Sequence, residues 1–189
     1  MKKYGVIYAD PPWEYRAYAR KGLRGVAVNH YPSMKLEAIK ALPVAEIADR
    51  DCVLFLWVTF PCLTEGLEVM QAWGFQYKTA AFVWIKQNRK ADTLFWGMGH
   101  WTRGNAELCL LGTRGRPKRV DAGVHQVVIS HIEEHSRKPQ EVPERIIRLT
   151  GEVPKIELFA RNRREGFDAW GNEVESDIEF TGGKQNDTT

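Results

Sequence analysis

The sequence is poor in cysteine. It has only Cys52, Cys62 and Cys109, an odd number with no CxxC pair, each beside apolar neighbours. They read as reduced packing residues, which excludes a disulfide framework and gives no sign of thiol chemistry. Long hydrophobic runs are also missing: none approaches the roughly 20 residues that cross a bilayer. The apolar run behind "MKK" is cut by Asp10, too short for a secretory leader, so a cytoplasmic location and no membrane partner are expected. No internal repeat or low-complexity tract is present. A GxGxxG fingerprint is absent after the first apolar run, and "GMGHWTRG" (97 to 104) has the wrong spacing and context for one.

What remains is the composition of a soluble domain. With 189 residues, 43% hydrophobic and 27% charged, the chain is long enough to bury a core without metals or disulfides. The net charge of +3 is unevenly spread. From Glu173 onward five acids face one base, leaving +7 on the 172 residues before them. Bases cluster at Arg20, Lys21 and Arg24, at Arg114, Arg116, Lys118 and Arg119, and at Arg161, Arg163 and Arg164. Basic groups on loops beside aromatics suit a phosphate backbone, although any one group is equally well a solvated surface.

Strand-like runs occur at 4–9, 52–59, 79–86, 107–113, 126–130 and 155–160. Helical patterns lie at 35–42 with a continuation past Pro43, at 63–73 ended by Gly74, and at 139–149 ended near Gly151. Continuously apolar strands with helices between them predict a doubly wound α/β fold with a mostly parallel sheet. A single domain is expected over residues 1–176, followed by a polar, disordered tail over 177–189. Two long irregular segments, 14–33 and 88–105, both follow strands. In an open α/β sheet that position borders the ligand crevice, so both are expected to serve function.

The first strand ends in "DPPW", residues 10 to 13. The exocyclic amine of adenine is a poor nucleophile because its lone pair is delocalised into the ring. Two acceptors, the Asp10 carboxylate and the Pro11 carbonyl, can hold its two hydrogens and turn the lone pair toward an electrophile. Pro11 and Pro12 fix two φ angles and so preorganise that carbonyl, and Trp13 can stack on the base. The plainer alternative is a turn followed by a core anchor.

In order along the chain, "DPPW", "YPSM" (31–34), "LFLWVT" (54–59), "GHW" (99–101), "ELCLLG" (107–112), "SRKP" (136–139), "KIELFAR" (155–161) and "WGNE" (170–173) resemble the N6-adenine methyltransferase family typified by the seventy-kilodalton catalytic subunit of the messenger-RNA adenosine methyltransferase. The resemblance implies a Rossmann-like fold in a permuted arrangement, with the catalytic motif ahead of the cofactor strand and S-adenosylmethionine as methyl donor. It gives Asp10, Pro11, Pro12 and Trp13 the catalytic role. It also implies that Lys138 pairs with the donor's carboxylate, that Arg161, Arg163, Arg164 and Asn172 donate to carboxylate or ribose, and that Glu173 accepts from a ribose hydroxyl. The segments 14–33 and 88–105 become gate loops around the acceptor base, with Tyr15, Tyr31, Trp57, His100 and Trp101 as substrate-binding residues. Three departures stand out: Arg137 replaces the usual histidine, Glu173 replaces a glutamine, and the chain starts too close to Asp10 to hold the segment that reads the donor's adenine in longer members.

Two other readings compete. "HIEEH" (131–135) fits a helical zinc pattern, but it follows a strand and runs into Pro139, so no metal is expected. A non-catalytic nucleic-acid-binding partner of the same fold is the second, against which the intact "DPPW" argues. DNA is favoured over RNA as the polymer. With no separate target-recognition segment, base selection falls to the loops, to a second copy of the chain, or to a partner subunit.

Overall fold

The structure, a computed structural model, describes residues 2–14, 33–99, 101–133 and 137–180. In chain order the elements are β1 (Tyr4–Ala9), α1 (Leu36–Lys40), α2 (Val44–Ile47), β2 (Ala48–Val58), a 3-10 turn (Phe60–Cys62), α3 (Leu63–Ala72), β3 (Gln76–Asn88), β4 (Ala91–Leu94), β5 (Glu107–Arg114), β6 (Val127–His131), α4 (Glu141–Thr150), β7 (Lys155–Leu158) and β8 (Asp168–Trp170). The strands form one sheet in the order β4-β3-β5-β2-β1-β7-β8, with β6 also pairing β3.

The pairing fixes which ends face which way. β1 runs parallel to β2 and β7, β7 to β8, and β3 to β6. β5 is antiparallel to both of its neighbours, β2 and β3. Two reversals restore the direction, so β3 and β6 point the same way as β1, β2, β7 and β8. Six strands therefore end on one edge of the sheet, as expected for this fold class, and β5 instead begins there, at Glu107.

Helices cover both faces. Ile39, Val44, Ile47, Val69, Met70 and Trp73 pack on one face against Ile7, Leu54, Leu56 and Leu110. Val142 and Ile146 of α4 close the other, over Tyr8, Phe55, Trp57, Trp84 and Val128. The Trp73 indole N–H donates to the Ile39 carbonyl at 3.0 Å and ties α3 to α1. α3 stops at Gly74, which takes φ +82°, and α4 at Gly151, φ +66°, a left-handed conformation that glycine adopts without steric cost. Pro143 is tolerated in the first turn of α4 because its missing N–H would have no partner there.

The structure corrects two expectations. The 88–105 segment is not wholly irregular, since β4 pairs back on β3 as a hairpin. The tail does not begin at residue 177: Asp177 receives the Ala169 N–H at 2.8 Å, and Ile178 and Phe180 pack against the core.

Gly66 marks the closest approach of α3 to the sheet. A methyl group there would sit 2.4 Å from Val58 Cγ1. Gly66→Ala, which in an exposed helix would stabilise, is expected to cost about 1–3 kcal/mol through overpacking, measured by urea denaturation.

Candidate active site

The edge where six strands end holds a cleft of about 670 Å³. Its lining includes Tyr8, Asp10, Lys138, Glu157, Phe159, Arg161 and Glu173. β1 delivers Asp10 one residue past its last ladder position, Ala9, which pairs with Leu158 of β7. Strand order alone thus brings the first and last apolar runs of the chain, and the motifs behind them, side by side.

Asp10 retains 30% side-chain exposure, and its Oδ2 lies 3.0 Å from Lys138 Nζ. The same ammonium lies 3.3 Å from Glu107 Oε2, while Lys86 pairs with the other oxygen of Glu107. Two carboxylates and two ammonium groups thus form one chain of neutralised charge. Burial pushes the Asp10 carboxyl above its ordinary range; Lys138 opposes the rise and Glu107 adds to it. Burial acts the same way on Glu107, but Lys138 and Lys86 outweigh it and hold that carboxyl low. Lys138 is pushed down by burial and more than restored by the two acids, so it stays charged. Its ammonium also lies 5.5 Å from the centre of the Trp57 ring, a cation–π distance.

The prolines shape the strand exit. Trp13 N–H donates to the Pro11 carbonyl at 2.9 Å and Met34 N–H to the Pro12 carbonyl at 2.9 Å. A carbonyl has two lone pairs, so the Pro11 oxygen keeps one acceptor position. Trp13 is half-buried, and its indole N–H donates to the Trp57 carbonyl at 3.0 Å, which fixes the ring beside the end of β2.

On the other side of the cleft, Phe159 adopts φ +62°, uncommon for an aromatic residue, and packs edge-on to Trp170 with centroids 5.4 Å apart. Gly171 has no room for a side chain: a Cβ would meet the Ala160 carbonyl at 2.2 Å. That contact sets "WGNE" against "LFAR" and brings Glu173 within 3.9 Å of Arg161. Glu157, in mid-strand, is buried and its carboxyl is pushed up by burial, against the opposing Arg164, which also donates to Gln140.

The expected site residues divide accordingly. Asp10, Lys138, Arg161, Arg164 and Glu173 meet in the cleft; Pro11, Pro12 and Trp13 follow Asp10 along the chain but are not among its lining residues, and Trp13 packs against the core. Lys138, expected on the donor's carboxylate, is engaged by Asp10 and Glu107. Arg163 points elsewhere: it forms a two-pronged pair with Asp177 at 2.6 and 2.8 Å and donates to the Glu175 carbonyl. Asn172 is exposed and outside the cleft lining. Trp57 is a core residue, 0% exposed, whose indole N–H donates to the Tyr8 hydroxyl at 2.7 Å; it forms no wall of the acceptor site. Trp101 is almost fully exposed. Tyr15, Tyr31 and His100 lie outside the described residues, as do Arg20, Lys21 and Arg24. His131 belongs to β6 and not to a helix, as the zinc pattern would require; His135 is outside the described residues.

The sequence reading missed Glu107, Lys86 and Glu157. The signal was present: an acid inside the apolar run "KIELFA" and another at the start of "ELCLLG" break the pattern that a buried strand imposes.

A cleft at the carboxyl edge of a doubly wound sheet is where such folds bind their ligands, and here its lining includes a carboxylate held by a buried lysine. The MT-A70 family model matches residues 4–173, and the chain belongs to that family. It is 35% identical to the type II methyltransferase M.MunI of Mycoplasma sp., over 92% of this chain and 78% of that protein. It is 30% identical to a probable N(6)-adenosine-methyltransferase MT-A70-like protein of Oryza sativa, over 92% of this chain and 23% of that one, and 29% identical to the N(6)-adenosine-methyltransferase catalytic subunit METTL3 of Homo sapiens, over 93% and 29%. The chain thus spans less than a third of those two longer relatives. It is a methyltransferase.

Asp10 must be ionised to accept hydrogens from an amine. Lys138→Met removes the charge that restrains its upward shift. The acid limb of the rate–pH profile is therefore expected to move to higher pH in Lys138→Met, checked by single-turnover rates between pH 5 and 9.

Proposed function

We propose that the protein transfers a methyl group from S-adenosylmethionine to the exocyclic N6 amine of adenine in DNA. The observation that carries this reading is the pairing of Asp10 with Lys138 in the cleft, directly ahead of a rigid Pro-Pro carbonyl pair. Likeness to the type II methyltransferase, at 35% identity over 78% of that protein, favours DNA over RNA.

The chain's own groups account for the activation of the acceptor. Asp10 Oδ1 or Oδ2 and the unoccupied lone pair of the Pro11 carbonyl take the two amine hydrogens, and the lone pair of the nitrogen is drawn out of the ring. Lys138 keeps Asp10 anionic in a partly desolvated position. On gaining a methyl group the amine sheds one proton, and the Asp10 carboxylate, made more basic by burial, receives it. Trp13 would stack on the base, a contact worth roughly 1–3 kcal/mol.

The donor set of the cleft fits S-adenosylmethionine. Arg161 and the Asn162 side chain can hold its carboxylate, and Glu157 and Glu173 can accept from its ammonium or ribose hydroxyls. When bound, it supplies the electrophilic methyl group.

Incubation with labelled S-adenosylmethionine and single-stranded DNA, duplex DNA or RNA, followed by digestion to nucleosides, is expected to yield N6-methyladenine, with DNA the better acceptor. Asp10→Ala should abolish transfer while changing donor affinity by no more than a few-fold; near-normal turnover would overturn the mechanism. In calorimetric titration Arg161→Ala should raise the donor Kd by an amount equivalent to about 1.5–3 kcal/mol, the usual cost of a lost bond to a charged group. Arg163→Ala should leave that Kd unchanged and lower stability instead.

A further inference from the structure

The segment that joins β4 to β5 is not used by the chemistry at Asp10, yet it is held in place with unusual care. The Asn105 side chain staples its base: Oδ1 accepts the Lys86 N–H at 2.9 Å, and Nδ2 donates to the carbonyls of Lys86, at 2.9 Å, and Phe95. Above that staple, Gly97 N–H donates to the Gly104 carbonyl at 2.7 Å and closes the loop. Gly99 takes φ +62°, where a Cβ would lie 1.9 Å from the Thr102 carbonyl oxygen, so the backbone turns back on itself within a few residues. Trp101 itself adopts φ +69°. The result is a short, closed finger.

Large apolar side chains stand on it. Trp101 is 98% exposed, Met98 80% and Trp96 55%, a poor way to build a core and a familiar way to display hydrophobic surface. The hairpin and finger carry Arg89, Lys90 and Arg103 against one acid, Asp92. The root adjoins the active site twice over. Arg89 and His131 line the cleft, and His131 bonds the Asn88 carbonyl at 2.7 Å and pairs with Asp92 at 3.2 Å. Lys86, stapled by Asn105, is also the residue whose side chain holds Glu107 in the charge chain leading to Asp10.

An adenine inside a duplex cannot reach Asp10, because its amine is paired and its faces are stacked. Proteins that open a duplex commonly insert an apolar or aromatic wedge where the base has been and hold the flanking phosphates with cations. We propose that the finger is such a wedge: Trp101, supported by Met98, enters the base stack as the target adenine leaves it, and Arg89, Lys90 and Arg103 grip the adjoining phosphates. The proposal rests on the reading that duplex DNA is a substrate and adds how its base is released. The charge of the finger selects a polyanion over an uncharged apolar partner, and the flat indole selects a stack of bases.

Two measurements test it. Single-turnover transfer is compared on a duplex and on its separated target strand, at saturating S-adenosylmethionine. Trp101→Ala should lower the duplex-to-single-strand rate ratio at least fivefold, and Trp101→Phe should restore most of it; a smaller fall overturns the wedge. In the second, 2-aminopurine replaces each adenine of the duplex in turn. Wild-type protein should raise its fluorescence at the target position by unstacking it, and Trp101→Ala should not; a rise retained in Trp101→Ala also overturns the proposal. This arm needs no methyl transfer, so failure of wild-type protein to methylate any strand would count against the proposed activity and leave the wedge separately tested. If Trp101→Ala instead lowers the sedimenting mass and leaves the rate ratio unchanged, the finger binds a second copy of the chain, and the wedge is wrong.

Discussion

The rest of the site depends on one ammonium group. Lys138 lies between Asp10 and Glu107, with the ring of Trp57 beside it. Two acids at the end of a buried sheet would otherwise repel each other in a medium that screens poorly, and at least one would take up a proton. A protonated Asp10 would offer a hydrogen where the proposed mechanism requires a lone pair. Lys138 alone would not suffice for both acids, and Lys86 supplies the second positive charge. The two acids and two ammonium groups of the buried cluster balance in formal charge, which opposes the upward push of burial on the Asp10 carboxyl.

Strand polarity decides which residues take part. Because β5 is reversed, its first residue and not its last reaches the active edge, which is why Glu107 arrives beside Lys138. The same reversal carries Arg114 and the bases after it to the opposite edge. There the Arg116 N–H donates to Asp51 at 2.8 Å, and Arg114 donates to the Ala45 carbonyl at 2.8 Å. One of the three basic clusters evident in the sequence therefore lies at the edge of the sheet opposite Asp10, although composition treats all three alike. Direction of travel is invisible in hydrophobic periodicity, since an antiparallel strand buried on both faces reads like a parallel one.

Elements with strong patterns were legible. "YGVIYA", "CVLFLWVT" and "ELCLLGT" are continuous apolar runs and became central strands, and Gly74 and Gly151 ended their helices. Asp10, Arg161 and Glu173 were legible as cleft residues because short motifs place them just past strand ends. Arg163 and Trp57 were misplaced for a physical reason. An arginine after a strand serves a ligand or a neighbouring acid equally well, and only the fold shows that Asp177 lies within reach. A tryptophan near a strand end is core or wall according to which face its strand turns inward, a matter of register with β1 and β5.

Burial of Trp57 nevertheless serves the site more firmly than exposure would. Its carbonyl receives the indole N–H of Trp13, its own N–H is spent on Tyr8, and its ring faces the ammonium of Lys138. Tyr8, in β1, precedes Asp10 by two residues, and both line the cleft. One residue thus holds Trp13 through its backbone carbonyl and faces Lys138 with its ring. A wall residue in contact with substrate would have to move as substrate enters and leaves. A core residue that holds both partners from behind need not move, and the geometry around Asp10 is set before any ligand arrives.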